Sequence, residues 1–348
     1  MTPQPHAFLG TELPLIQAPM AGVQGSALAI AVCNAGGLGS LPCAMLTLES
    51  MRDELAAIRA QTTRPFNVGL FSHEPPVANS EREQRWRDVL APYHAEYGID
   101  AASLQAGAGR APFTHEAADV LAEFEPPFVT FHFGLPPPDL LDRVRAWGAT
   151  VLGSATTVDE ARWLVAHGAD AVIAQGLEAG GHRGVFLTDD LTTQLGLFAL
   201  LPQVLQAVDV PVIAAGGIAD ARGVAAALAF GASAVQVGTA YLLCPEATTS
   251  PLHRAALRSE AAHHTALTNL FTGRPARGIV NRLMRELGPI SSAPPAFPLA
   301  LGALAPLRAQ AEAQGRTDFS PLWAGQNVSG CKDVPAAQLT RELCGVLS

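Results

Sequence analysis

The sequence predicts an α/β protein folded as a (β/α)8 TIM barrel. Two observations support this prediction: eight short apolar runs recur along the chain, and stretches of helical composition fill most of the gaps between them. Strands that are buried on both faces have such continuous apolar runs, and crossover helices of about a dozen residues join parallel strands. An open, doubly wound sheet is the alternative that the strand number leaves open.

The predicted elements alternate in a regular order. Each predicted strand is a short apolar segment bounded by Gly, Pro or polar residues. The eight strands are 14–20, 37–42, 65–71, 128–134, 150–156, 170–176, 210–218 and 233–242. The helices predicted between them are 26–35, 48–60, 139–147, 157–167, 193–208 and 220–230. We therefore expect residues 1–245 to form the barrel.

Two segments depart from this alternation. Residues 72–127 separate the third and fourth strands and include the polar helix candidate SEREQRWRDVL, which predicts an insertion over the barrel mouth. The alternation stops after residue 245, so we expect residues 246–348 to form a helical lid and a C-terminal tail. The helices predicted there are 251–261, 279–286, 305–314 and 336–346.

The composition argues against several classes of partner. A formal charge of -9 without a Lys/Arg-rich run is unsuited to nucleic acid or to an anionic membrane surface, because both need a concentrated positive footprint. The uncharged stretches 13–48 and 223–245 are interrupted by Gly, Pro and polar residues, so neither is predicted to span a membrane. The five cysteines include no CxxC pair, which fits a reducing cytoplasm without disulfides or a zinc site. We expect a small-molecule partner.

The ends of the predicted strands carry residues that suit a flavin nucleotide. AAGGI (214–218) and QVGT (236–239) lie one helix apart, where barrels hold phosphate on backbone N–H groups and a helix N-terminus. Tight turns are the alternative explanation for these glycines. APMAG (18–22), Asn67 and Gln175 lie at other strands, and side-chain amides can both donate to and accept from a flavin ring. Together these features predict FMN and no metal.

Nine segments occur in order along nearly the whole chain: PLIQAPMAG, NAGGLGSLP, PFNVGLF, FHFGLPPP, AQGLEAGGHRG, VPVIAAGGIAD, QVGTAYLLCPEA, LFTGRPARGIVN and DFSPLWAGQ. As a set they resemble the nitronate monooxygenases, once called 2-nitropropane dioxygenases. The resemblance implies an FMN-containing barrel that oxidises alkyl nitronates, typically propionate 3-nitronate, with O2 to a carbonyl compound and nitrite, a detoxification activity. It also implies FMN contacts at Asn67, Gln175, Gly180, Gly217, Gln236, Val237, Gly238 and Thr239.

Two histidines are the candidate catalytic residues. His182 in QGLEAGGHRG matches the family's catalytic histidine. An imidazole can act as a base on a neutral nitroalkane or, when protonated, can hold an anionic nitronate. His132 ends the fourth predicted strand, and we expect it at the same barrel mouth because neighbouring strand ends converge there.

Further expectations concern residues around these motifs. Met20, Gly181 and Gly216 are added to the predicted FMN contacts because they lie in the strand-end loops. Arg183 is either a residue that draws in an anion or a solvated surface charge, and Glu178 is expected to orient the loop rather than to react.

The sequence departs from the family in ways that affect the lid and leave alternatives open. The family has tyrosines at the active-site entrance, whereas AFPLA places Phe297 at one such position. We expect His73 to be solvated and Trp323 to anchor the C-terminal tail. An FMN reductase that takes hydride from NAD(P)H, and a non-catalytic flavin-binding protein, are the alternative functions.

Overall fold

The computed structural model describes residues 6–77, 79–100 and 111–346. Eight parallel strands form a barrel, which confirms the predicted fold class. They are β1 (Leu15–Gln17), β2 (Gly39–Pro42), β3 (Phe66–Phe71), β4 (Phe128–His132), β5 (Thr150–Ala155), β6 (Ala171–Gln175), β8 (Val212–Ala215) and β9 (Ala234–Val237). The two-residue strand β7 (Gly181–His182) follows β6 and lies outside the barrel.

The sheet is closed by contacts between its first and last strands. Hydrogen bonds connect the strands in the order β1-β9-β8-β6-β5-β4-β3-β2. The N–H of Gln17 donates to the carbonyl of Leu38 over 2.9 Å, and the N–H of Leu38 donates to the carbonyl of Leu15 over 2.8 Å. These bonds join β1 to the residue before β2, so the open-sheet alternative is wrong.

Helices surround this barrel and several begin at side-chain caps. The first eight helices are α1 (Ser26–Asn34), α2 (Leu48–Gln61), α3 (Ser80–Glu96), α4 (His115–Phe124), α5 (Pro138–Ala146), α6 (Val158–Ala166), α7 (Leu197–Ala207) and α8 (Ala221–Ala229). The Thr157 side chain accepts a hydrogen bond from the N–H of Glu160, and Asp220 accepts one from Gly223. Such caps satisfy backbone donors that the first helical turn leaves unpaired.

The segment between β3 and β4 contains two helices with different surroundings. α4 packs against α2 and α5, so it occupies the position of a crossover helix in the outer ring. α3 packs against a helix of the C-terminal segment: Trp86 and Leu90 share a buried cluster with Leu304 and Leu307. Residues 78 and 101–110 of the predicted insertion lie outside the described residues.

The C-terminal segment contains strands as well as the predicted helices. Its helices are α9 (Pro251–Leu257), α10 (Arg282–Leu287), α11 (Leu301–Ala313) and α12 (Ala336–Leu343), and its strands are β10 (Thr265–Thr268) and β11 (Ala276–Ile279). β11 pairs antiparallel with both β10 and β7, so Ala276 lies opposite His182. The helix predicted from residue 279 begins instead at Arg282, because Ile279 is hydrogen-bonded as the end of a strand. α12 packs against α1 and α8 and completes the outer ring.

The interior of the barrel is closed at the end where the strands begin. Leu9, from a short 3-10 helix before β1, is buried in a cluster with Ile16, Leu38 and Phe128. The ends of the strands remain available to line a cavity at the opposite face. Among the described residues, no helix is both long and apolar enough to cross a membrane, and all five cysteines are free thiols.

Candidate active site

A cavity of about 1340 Å³, open space at its mouth included, lies at the C-terminal ends of the barrel strands. All the predicted site residues except Asn67 line it: Met20, His132, Gln175, Gly180, Gly181, His182, Gly216, Gly217, Gln236, Val237, Gly238 and Thr239. The barrel thus brings together residues that are far apart in sequence. This is the face at which barrel enzymes carry their active sites.

One part of the cavity wall, here called the glycine pole, consists of Gly216, Gly217, Gly238 and Thr239, which follow β8 and β9. Gly216 and Gly217 have φ values of +116° and +71°, a backbone conformation that residues with a Cβ rarely adopt. Among the described residues that line the cavity, none is a lysine or an arginine. An anion bound at this pole would therefore rely on backbone N–H groups and on the dipole of α8, which begins nearby.

The loop after β6 is covered by the C-terminal segment. A Cβ on Gly180 would lie 2.5 Å from the backbone nitrogen of Gly325, so only glycine fits beneath this crossing. The N–H of Gly325 donates to Thr239 Oγ1 over 3.0 Å, and the N–H of Gln326 donates to the carbonyl of Glu178 over 2.9 Å. The small residues of this loop therefore permit close packing of two chain segments.

His182 also lines the cavity, and hydrogen bonds hold it from two directions. Its Nε2 hydrogen-bonds with Thr272 Oγ1 over 2.9 Å. Gln175 donates from Nε2 to the carbonyl of His182 over 3.0 Å and accepts at Oε1 from the N–H of Gly184 over 2.8 Å. The Gln175 amide thus bonds back to the loop that carries His182, and it fixes the position of the imidazole relative to β6.

His132 ends β4 and has a different partner. Its Nδ1 hydrogen-bonds with Ser154 Oγ over 2.9 Å. Burial lowers the pKa of His132 to about 4, because the charged imidazolium would lose its hydration. His132 is therefore neutral at physiological pH.

Aromatic rings form a wall between the two histidines. The ring centroid of Phe71 lies 6.4 Å from that of His132 and 6.5 Å from that of His182. Phe133, which follows His132, has a φ of +70°, a rare conformation for a residue with a large side chain. The guanidinium carbon of Arg274 lies 4.0 Å from the Phe133 ring centroid, on a ring that lines the cavity. A cation thus lies behind the aromatic wall.

Similarity to known proteins identifies the family. Residues 3–345 match the family model described as nitronate monooxygenase. The chain belongs to the nitronate monooxygenase family. The nitronate monooxygenase of Pseudomonas aeruginosa is 43% identical over 346 residues, which cover 99% of this chain and 98% of that protein. The chain is accordingly an oxidoreductase, as the sequence resemblance predicted.

Solved structures agree with this membership and with the barrel. The structure of a nitroalkane oxidase from Streptomyces ansochromogenes has a TM-score of 0.89 and 41% identity, covering 97% of this chain and 96% of that chain. The enoyl reductase domain of MlnA from Bacillus amyloliquefaciens is similar in fold alone, with a TM-score of 0.55 and 16% identity, covering 82% of this chain and 67% of that chain. The barrel alone therefore does not distinguish a nitronate monooxygenase from a reductase.

Asn67 is the one predicted FMN contact that does not line the cavity of this nitronate monooxygenase family member. Its side chain is fully buried among the barrel strands. Its Nδ2 donates to Ser40 Oγ over 2.9 Å, and its Oδ1 accepts from Thr130 Oγ1 over 2.9 Å. The amide joins β2, β3 and β4, so the residue supports the cavity from within the barrel.

Arg183 is neither a solvated charge nor an anion-binding residue of the cavity wall. It is fully buried and donates to the carbonyls of Gln175 and Gly176 over 2.7 and 2.6 Å, and to Gln194 Oε1 over 2.9 Å. Glu178 accepts from the N–H of Leu197 over 2.9 Å at the start of α7, which agrees with an orienting role. Arg183 therefore stabilises the conformation of the loop after β6.

The expectation for His73 is wrong because it ignored the C-terminal segment, which also adds residues to the cavity wall. His73 is only 5% exposed rather than solvated, since Phe297 packs against its ring with centroids 4.9 Å apart. Trp323 packs against a buried cluster, as an anchor of the tail would, and it also lines the cavity with its ring centroid 5.5 Å from that of His182. His253 of α9 also lines the cavity, and no local sequence signal pointed to it.

Proposed function

We propose that this chain uses bound FMN to oxidise alkyl nitronates, such as propionate 3-nitronate, with molecular oxygen to a carbonyl compound and nitrite, and so removes a toxic nitro compound. The observation that carries the proposal is the joint placement of His132, His182 and the glycine pole in one cavity of a nitronate monooxygenase family member. This arrangement provides polar groups for a small substrate beside a site for a phosphate-bearing cofactor.

The polar groups of the cavity are suited to FMN. Gln236 Oε1 is buried and has no hydrogen-bond partner among the described residues, so it is an acceptor for a donor on the ligand. The glycine pole would hold the phosphate. When bound, FMN supplies the electron-transfer chemistry, while the protein orients and stabilises the reactants.

The remaining proposed contacts lie around the same cavity. Met20 follows β1, and its N–H donates to Gln24 Oε1 over 3.2 Å, which holds the loop against the strand ends. Val237 ends β9, and Gly180 and Gly181 lie in the covered loop. Gln175 would contribute mainly by fixing His182, because its amide already bonds to the loop on both sides.

The proposed role of His182 is to act on the substrate. A neutral imidazole would take the proton from the carbon of a nitroalkane, and an imidazolium would hold the negatively charged nitronate. Arg274 supports an anionic substrate from behind Phe133, because its positive charge acts across a ring that lines the cavity. Its Nε is buried without a hydrogen-bond partner among the described residues.

The proposal is tested with the purified full-length protein. We expect flavin absorbance bands, oxygen uptake and nitrite release on addition of propionate 3-nitronate alone, and no anaerobic bleaching by NADH. Flavin bands that bleach with NADH, without a response to nitronate, would instead indicate the reductase. Flavin bands with neither response would indicate a non-catalytic flavin-binding protein.

The role of His182 is tested by substitution with a surface control. His182→Ala is expected to lower kcat/KM for the nitronate by roughly 100-fold or more while the flavin remains bound. His264→Ala is the control, because His264 is exposed on the protein surface and should leave the rate unchanged. Full activity of the His182→Ala variant would exclude the proposed role.

A further inference from the structure

Residues 325–327 of the C-terminal segment contact both loops of the glycine pole. The N–H of Gly325 donates to Thr239 Oγ1 over 3.0 Å, in the loop after β9. Asn327 Nδ2 donates to the carbonyl of Gly217 over 3.0 Å, in the loop after β8. Asn327 therefore lies directly against the glycine pole, and it also lines the cavity.

Ser329 determines which way the Asn327 amide faces. The N–H of Ser329 donates to Asn327 Oδ1 over 3.2 Å, and the Ser329 hydroxyl donates to the same oxygen over 2.7 Å. A backbone N–H can only donate, so the atom it contacts is the amide oxygen. The NH2 group then faces the Gly217 carbonyl, which can only accept. The hydrogen bonds at both ends of the amide thus fix the same orientation.

One N–H of the Asn327 amide is available to a ligand. An amide nitrogen carries two hydrogens, and the Gly217 carbonyl takes one of them. No other acceptor within the described part of the chain binds this nitrogen. The side chain is exposed and belongs to the cavity wall, so the second N–H is accessible. A ligand at the glycine pole would meet a side-chain donor as well as backbone N–H groups.

The chemistry of this donor suits an anion. The described lining residues include no lysine or arginine, so an anion in the cavity must be bound by neutral donors. A hydrogen bond to an ionised oxygen is roughly twice as strong as one between two neutral groups. Glu178 is the one carboxylate among these lining residues, and it accepts from the N–H of Leu197 rather than from Asn327. The Asn327 donor is therefore left for the ligand.

We infer that Asn327 is a cofactor-binding residue whose second amide N–H donates to the phosphate of FMN at the glycine pole. This inference rests on the proposed function, because it assumes that the pole holds that phosphate. Asn327 follows the segment DFSPLWAGQ and is not among the residues for which the family resemblance implied a contact. The C-terminal segment would thus supply a phosphate ligand in addition to covering the loop after β6.

Binding of FMN and of riboflavin, which lacks the phosphate, to the flavin-free full-length chain tests the inference. Asn327→Ala removes the donor. Asn327→Asp keeps the shape and the acceptor for Ser329 but places a negative charge beside the phosphate. Asn34→Ala is the control, because Asn34 is also exposed and donates to one carbonyl, that of Gln61, over 3.2 Å. Dissociation constants are measured by quenching of flavin fluorescence, and thermal unfolding shows whether each variant is folded.

We expect FMN binding to weaken by roughly tenfold in Asn327→Ala and by roughly 100-fold in Asn327→Asp, with riboflavin binding unchanged in both. The control variant should bind both flavins like the unsubstituted chain. Equal losses for FMN and riboflavin would show a purely structural role and overturn the inference, as would equal FMN affinities of the alanine and aspartate variants. If Asn327→Ala does not fold, an unchanged ratio of the two dissociation constants in Asn327→Asp would overturn it as well.

The unsubstituted chain separates a failure of this inference from a failure of the proposed function. If it binds FMN no more tightly than riboflavin, the phosphate is not recognised, and the inference is overturned while flavin binding stands. If it binds neither flavin, the proposed function itself is overturned.

Discussion

The two histidines near the aromatic wall have different hydrogen-bond partners, and this difference points to different tasks. His182 bonds with Thr272, which lies between β10 and β11, whereas His132 bonds with Ser154 of the neighbouring barrel strand. His132 is kept neutral by burial. Of the two, His182 is therefore the group proposed to exchange a proton with the substrate or to hold its charge, and His132 is a neutral polar group of the wall.

The Thr272 hydroxyl should affect turnover through the orientation of His182. Thr272→Val retains the shape of the side chain but removes the hydrogen bond, which is worth about 1 kcal/mol. We expect kcat/KM for propionate 3-nitronate to fall roughly five- to tenfold with an unchanged flavin content, and Thr272→Ser to retain the activity. Oxygen-uptake kinetics provide the measurement. Equal activities of the valine and serine variants would contradict this positioning role.

His132 should contribute to the rate without contributing to its pH dependence near neutrality. Because burial lowers its pKa to about 4, its protonation does not change between pH 6 and pH 8. We expect His132→Gln to lower kcat/KM by roughly tenfold at every pH in this interval, so that the profiles of variant and unsubstituted enzyme run parallel. A limb of the profile that disappears in the variant would contradict the neutral state of His132.

At the scale of elements, the loop after β6 is fixed by three neighbours. β7 pairs with β11, Gly180 lies against Gly325, and Arg183 binds the carbonyls at the start of the loop. The active-site side of the barrel thus depends on the C-terminal segment for its geometry. Removal of that segment would leave His182 without Thr272 and without its strand partner.

Arg183 should stabilise the fold more than an exposed arginine does. Arg183→Met removes the donor to the Gln175 carbonyl and to Gln194 Oε1, and it leaves the Gly176 carbonyl with only the N–H of Ala179. We expect a loss of about 3 kcal/mol in the free energy of unfolding. Arg52→Met is the matched control, because Arg52 forms an ion pair with Glu123 at the exposed surface and its loss should destabilise the fold much less. Urea titrations of both variants give the comparison. Similar losses of unfolding free energy in the two variants would mean that the buried hydrogen bonds of Arg183 contribute little to stability.

The sequence predicted the barrel elements because their signals are local. Each barrel strand is buried on most or all of its length and therefore appears as a continuous apolar run, and stretches of helical composition fill most of the gaps between the strands. β7 and β11 carry no such signal: ARGI contains a buried arginine, and its partner strand has only two residues. Pairing between segments so distant in sequence cannot be inferred from either one alone.

The same limit explains why the surroundings of individual residues could not be predicted. Strand ends could be placed at one barrel mouth from the fold class, and all the predicted site residues except Asn67 line the cavity there. The location of the Asn67 side chain depends on which way it points from its strand, and it points towards Ser40 and Thr130 inside the barrel. Packing of the C-terminal segment buries His73 and places Trp323 at the cavity wall. None of these depends on a local pattern.

At the scale of the whole molecule, the fold confines the chemistry to one end of the barrel. Leu9 closes the end where the strands begin, and α12 completes the ring of helices between α8 and α1. The opposite end contains the cavity, and desolvation lowers the pKa values of two of its histidines, the half-buried His132 and the buried His253, to about 4. Burial of neutral histidines links the stability of the entire fold to pH.

Mild acid should therefore destabilise the protein through these two residues. Their pKa values are about 4 in the folded chain and about 6.5 when unfolded, so the unfolded chain binds more protons below pH 6.5. The stabilisation is complete above pH 6.5 and decreases as the pH falls towards 4, by at most about 2 kcal/mol per histidine at pH 5. Hydrogen bonds from Arg282 and Arg52 lower the pKa values of the exposed carboxylates of Glu96 and Glu123 from their usual range. Urea titrations at pH 7 and pH 5 give the unfolding free energy at each pH. Its decrease between these two pH values should be smaller in His132→Gln than in the unsubstituted chain. An equal decrease would show that His132 is protonated in the folded state as readily as in the unfolded one.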